Sequence, residues 1–76
     1  MKRVYMERHE PSVNLHRFYQ VMIASGVFND WSVVREWGRC GSPGTLKFDW
    51  YESYDEAIKA AQSVVNQKTK KGYHKK

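Results

Sequence analysis

Apolar and polar residues alternate along the first two-thirds of the chain, and the alternation breaks at a few points rich in Pro, Gly, Asn and Asp. From Lys2 to Arg8, Val4 and Met6 fall on one side and Arg3, Tyr5 and Glu7 on the other, which predicts a strand. His9-Glu10-Pro11-Ser12 ends it, because Pro11 offers no backbone donor and holds Glu10 extended. A second strand is predicted over Leu15 to Ile23, with Leu15, Tyr19, Val21 and Ile23 on the core face and Arg17 interrupting them. Arg17 is expected to run its stem over that face and present its guanidinium at the rim. Asn14, His16, Phe18, Gln20 and Met22 take the other face. Phe18 and Met22 need cover there, or they form a contact surface.

Ala24-Ser25-Gly26 and Asn29-Asp30 are turn chemistry, so the third strand runs from Phe28 or Trp31 to Arg39. Trp31, Val33, Arg35, Trp37 and Arg39 share one face unless a bulge intervenes at Gly38. Gly41-Ser42-Pro43-Gly44 must turn, and Thr45 to Tyr51 alternates cleanly again, with Leu46, Phe48 and Trp50 on one side.

At Ser53 the period changes. Ser53-Tyr54-Asp55-Glu56 is a capping box, in which Ser53 accepts from the third helical N–H and Glu56 reaches back to the cap. Ala57, Ile58, Ala61, Val64 and Val65 then recur at three- and four-residue intervals, one apolar stripe suited to packing on a sheet. Lys68, Lys70 and Lys71 complement the helix dipole in the last turn, and Gly72 is the expected C-cap. The predicted fold is α+β: a small antiparallel sheet of about four strands with one C-terminal helix packed across a face. Residues 1–72 form a single domain in this reading, and 73–76 a disordered basic tail.

The chain has 76 residues, and at this size only about 60% of the unfolded surface is buried, so the core is small. One cysteine, Cys40, excludes an intrachain disulfide and fits a reducing compartment; its expected role is a small buried residue. No apolar run is long enough for a signal peptide or membrane helix, so the expected location is cytoplasmic. The net charge is +5, yet residues 1–67 carry eight Lys and Arg against eight acids. The excess is the five lysines 68, 70, 71, 75 and 76. The body is balanced and its end is cationic.

Several chemistries are set aside. Gly38, Gly41 and Gly44 lie three apart, which matches neither a dinucleotide fingerprint nor a P-loop. His9, His16 and His74 lack the spacing of a metal site, and Cys40 is far from them in sequence, so no metal and no cofactor are expected. No serine, cysteine and histidine arrangement argues for a nucleophile with its base, and no small-molecule substrate site is evident. Catalysis is the least favoured class.

What remains is the stretch Arg35 to Gly44. Gly38 leaves the backbone open between a flat ring, Trp37, and a fixed charge, Arg39, a combination suited to a sugar and its phosphate. Trp37-Gly38-Arg39 with Gly41 and Gly44, Asn14 to Tyr19, Val21, Ile23, Ser53 to Ala57 and Lys68-Thr69-Lys70-Lys71-Gly72-Tyr73 together resemble the WGR domain family, nearly end to end and in the right order. The chain is similar to the WGR domain of DNA-dependent poly(ADP-ribose) polymerases and resembles a stand-alone bacterial form. The resemblance implies a nucleic-acid surface at a strand end, where Trp37 stacks on a terminal sugar or base and Arg39 forks a phosphate.

It also implies phosphate contacts from Asn14 and Arg17, although His16 stands where the family often has asparagine. In the cationic tail, Lys70 and Lys71 are further candidates for phosphate contact. Each residue has a competing role: core packing for Trp37, an ion pair with Glu36 or Asp49 for Arg39, and a solubilising end for Lys70, Lys71 and their neighbours. The expected function is nucleic-acid binding, at DNA ends or nicks through the backbone. A protein-interaction module using the Trp37/Arg39 surface or the Phe18/Met22 face is the alternative.

Overall fold

A computed structural model describes residues 3–76. Strand β1 (Arg3–Glu10), a 3-10 turn (Pro11–Val13), β2 (Leu15–Ser25), β3 (Trp31–Arg39), β4 (Thr45–Tyr51), α1 (Tyr54–Lys70) and β5 (His74–Lys75) follow in that order. Lys2, expected in the first strand, lies outside the described residues. The sheet is antiparallel throughout and its strand order is β4-β3-β2-β1-β5. Neighbours in sequence therefore pair, except that the end of the chain returns to the free edge of β1.

Two strands are longer than the alternation predicts. β1 continues to Glu10 because Glu10 pairs with Leu15 and His9 with His16, and β2 continues to Ser25 because Ser25 pairs with Trp31. Asn14 closes the β1–β2 connection in the left-handed region, φ 53°, a conformation asparagine tolerates, with its N–H donating to the Pro11 carbonyl at 3.0 Å.

The helix covers the face built by Met6, Tyr19, Val21 and Val33, against which it buries Ala57, Ala61 and Val65. The Ser53 hydroxyl accepts from the Glu56 N–H at 3.2 Å, and the Glu56 carboxylate returns to that hydroxyl at 3.3 Å. The cap is thus made on the side chain of Ser53. At the other end Gly72, φ 99°, allows the Tyr73 N–H to reach the Lys68 carbonyl and the Gly72 N–H that of Thr69.

That Gly72 reversal sends the tail back over the sheet. Tyr73, only 7% exposed, enters the core cluster, and His74–Lys75 pair with Glu7 and Met6. The end expected to be disordered is therefore a fifth strand. The reason is long-range: β1 has an unpaired edge in a four-stranded sheet, and the helix cap aims the chain at it.

On the face away from α1, Phe18 and Val34 are buried although no helix among the described residues lies over them. Tyr5 stacks on Phe18 with centroids 6.0 Å apart, and the β3–β4 loop folds back onto the same ring. Leu46, Phe48 and Trp50 of the edge strand β4 stay more than half exposed on this face. No helix among the described residues is long and apolar enough to cross a membrane.

Candidate nucleic-acid interface

Register decides which of the candidate residues meet. β2 and β3 pair so that Arg17 stands opposite Arg39 and Tyr19 opposite Trp37, on the helix-bearing face. Arg17 and Arg39 are exposed, and together with Asn14, His16, Val13 and Leu15 they line one open cleft at the end of the sheet. Neither arginine has a carboxylate within ion-pair distance among the described residues. The acids that could have paired Arg39 are taken: Asp49 accepts from Arg35 at 2.9 Å, and Glu36 accepts from the Gln20 amide.

Trp37 is half-buried. It stacks on Tyr19 with centroids 5.7 Å apart and planes at 15°, and Tyr73 meets Tyr19 edge-on at 6.1 Å. Part of the indole therefore belongs to the core rim, and only the remainder is open to a ligand. Over the Tyr19 ring, 4.6 Å from its centroid, lies the Lys68 ammonium, which is also 5.9 Å from the Tyr73 ring. Burial pushes the Lys68 amine below its ordinary value, and Lys71, Arg35 and Arg17 push it the same way. Three cationic side chains thus act on Lys68 beside the Trp37–Tyr19 stack.

Gly38 works differently from the sequence expectation. A Cβ at this position would meet the Gly44 Cα at 3.3 Å and Phe18 Cε1 at 3.5 Å, so the space left by the missing side chain is filled by the same chain. Gly44 is tighter still, with Glu36 Cγ at 2.7 Å, Phe18 Cζ at 2.8 Å and the Trp37 carbonyl at 2.9 Å of a built Cβ. Both glycines let the β3–β4 loop lie flat on Phe18. Gly41, φ 84°, makes the bend.

The model of one protein family, the WGR domain, matches residues 2–76. The chain belongs to the WGR domain family. A WGR domain is a module without a catalytic role, and in poly(ADP-ribose) polymerases WGR domains bind nucleic acid. This WGR domain is 34% identical over 71 residues to an uncharacterized protein, y4dW, of Sinorhizobium fredii, an alignment that covers 93% of the chain. The chain spans 35% of that relative's length. No solved structure matches it significantly.

Of the residues singled out in the WGR sequence, the fold brings Asn14, Arg17 and Arg39 to one cleft and sets Trp37 beside them. Lys71 joins through its effect on Lys68, whereas Lys70 is exposed and no contact among the described residues ties it to the group. Lys75 is committed to β5, and the Lys76 ammonium sits 3.9 Å from Glu7. Lys68 and Tyr19 are the residues that motif reasoning missed. A signal existed: Lys68 continues the stripe Ala57, Ala61, Val64 and Val65, so the helix turns a cation toward the sheet.

Proposed function

We propose that this WGR domain binds nucleic acid, specifically DNA ends or nicks, through the sugar-phosphate backbone. The observation that carries the reading is the Arg17–Arg39 pair. Like charges placed directly across a ladder repel, typically costing a few tenths of a kcal/mol to about 1 kcal/mol, and here no carboxylate among the described residues relieves them. A phosphate in the cleft offsets the repulsion, accepting from both guanidiniums while Asn14 adds an amide donor.

The exposed part of Trp37 then lies where a terminal sugar or base can stack, and Lys68 and Lys71 extend the positive field along the helix end. Base edges play no part, so sequence preference is weak. Labelled blunt, 5′-phosphorylated and nicked duplexes titrated at two salt concentrations test this against Arg17→Gln, Arg39→Gln and Trp37→Leu. Each arginine variant is expected to flatten the salt slope by about 0.9. Equal affinity and slope in all three variants rule the site out.

A second reading has its own observation. Leu46, Phe48 and Trp50 form an exposed apolar row on the edge strand, on the face away from the cleft arginines, and such rows suit protein contact. Phe18, expected to join that surface, is instead covered by Tyr5 and the glycine loop. Loss of a protein complex in Phe48→Ser with DNA affinity unchanged would assign this row to a protein partner.

A further inference from the structure

Residues 9, 16, 40 and 74, all three histidines of the chain and its only cysteine, are scattered along the sequence. Sheet register gathers them. His9 pairs with His16 across β1 and β2, and the Cys40 N–H donates to the His16 carbonyl at 2.9 Å, which carries the row on to the end of β3. On the other side β5 sets His74 opposite Glu7. One corner of the open face therefore holds the imidazoles, the thiol and a carboxylate.

We infer that this corner binds a zinc-type transition-metal ion through the Glu7 carboxylate, His9 Nε2 and the Cys40 thiolate. One donor atom from each of the three residues lies within 4.8 Å of those of the other two. Tetrahedral zinc, with bonds of about 2.0–2.3 Å, holds its ligand atoms roughly 3.3–3.8 Å apart, so side-chain rotation of the order of an ångström closes the site. His9 is exposed while Glu7 and Cys40 are half-buried, which gives an ion a route in from solvent.

The surroundings already have the arrangement that metal ligands require. His9 Nε2 faces Glu7 Oε1 at 2.9 Å, and its other nitrogen, Nδ1, is 2.7 Å from His16 Nδ1. In the metal-free protein the contact with Glu7 needs the proton on Nε2; binding exchanges it, through solvent, for one on Nδ1 donated to His16, and the Nε2 lone pair then faces the ion. The second oxygen of Glu7 accepts from the Tyr5 hydroxyl at 2.9 Å. Both ring and carboxylate are thus oriented by partners that do not touch the ion, the role outer hydrogen bonds play at metal sites. A thiolate with an imidazole selects zinc-like ions over magnesium or calcium. The thiol gives up its proton to solvent on binding, and the fourth coordination position opens to water.

Cobalt(II) is the probe, because thiolate coordination gives it an intense near-ultraviolet charge-transfer absorption. Metal-free protein titrated with cobalt is expected to develop that absorption to saturation at one equivalent, to lose it when zinc is added, and to melt at a higher temperature with zinc. Cys40→Ser should abolish the band. His9→Ala, at an exposed strand position where folding is safe, should weaken binding at least tenfold, and His16→Ala by about ten- to a hundredfold through loss of orientation. Circular dichroism confirms that each variant is folded. No charge-transfer band in the folded wild type overturns the inference, as does equal cobalt affinity in wild type, His9→Ala and Cys40→Ser.

Discussion

Arg17 and Arg39 face each other across the β2–β3 ladder, and no acid among the described residues pairs with either. Folding alone does not favour that pairing, since a polar neutral residue at either place would fit the same strand and remove the repulsion. Arg39→Gln is therefore expected to raise stability by about 0.2–1 kcal/mol while weakening DNA binding. Urea denaturation alongside a duplex titration checks both signs. A variant that loses stability and binding together would mean that Arg39 supports the fold.

Lys68 gives the domain one pH dependence on the alkaline side. In the unfolded chain its amine titrates near the ordinary value of about 10.4, and burial beside Lys71, Arg35 and Arg17 lowers that value in the folded domain. Between the two values the unfolded chain holds the proton that the folded one has lost, so this residue makes stability rise with pH there. Below the window its charge is a steady cost. A bound phosphate reverses the shift, so binding in that alkaline window should take up protons. Calorimetry in two buffers of different ionisation heat reads the uptake, which Lys68→Met should remove.

Gly44→Ala should destabilise the domain by about 1–3 kcal/mol, because the added methyl meets Phe18, the Glu36 stem and the Trp37 carbonyl at under 3 Å. The contact with the Trp37 carbonyl is the one that cannot yield without moving backbone. Thermal unfolding of the variant measures it, with Gly41→Ala as a comparison whose cost comes from φ alone.

Tyr73 is expected to behave as a core residue. Removing its ring, as in Tyr73→Ala, should cost on the order of 3–5 kcal/mol, as for other buried aromatics. Domains of this size are worth roughly 4–11 kcal/mol in all, so the variant should be close to unfolded at physiological temperature. Truncating before this residue would likewise remove structure along with charge. The contribution of the terminal lysines is better read from Lys70→Gln and Lys71→Gln, with Lys71 expected to matter more for binding.

Much of the architecture is written locally. Alternation marks β2, β3 and β4, the Ser53 box and the three–four stripe mark α1, and Gly72 marks its end, because each depends on residues within a turn or a strand of one another. The WGR resemblance likewise puts Trp37 and Arg39 at the end of a strand, and β3 does end at Arg39. What the local pattern leaves open is everything set by which strand lies beside which. The partners of Phe18 come from Tyr5 and Gly44, on different segments, and the tail becomes a strand only because β1 offers an edge.

Site chemistry divides the same way. Residue chemistry singles out Trp37 and Arg39, and the WGR resemblance adds Asn14 and Arg17 as candidates. Tertiary pairing decides that Asp49 goes to Arg35 and leaves Arg39 without a carboxylate among the described residues, that Gly38 is filled by its own loop, and that Lys68 loses water over Tyr19. It also carries His9, His16, Cys40 and His74 to one corner. Sequence separation hides such meetings, since charge pairing, desolvation and ligand geometry act over a few ångströms in space, and only the ladder register turns distant positions into neighbours.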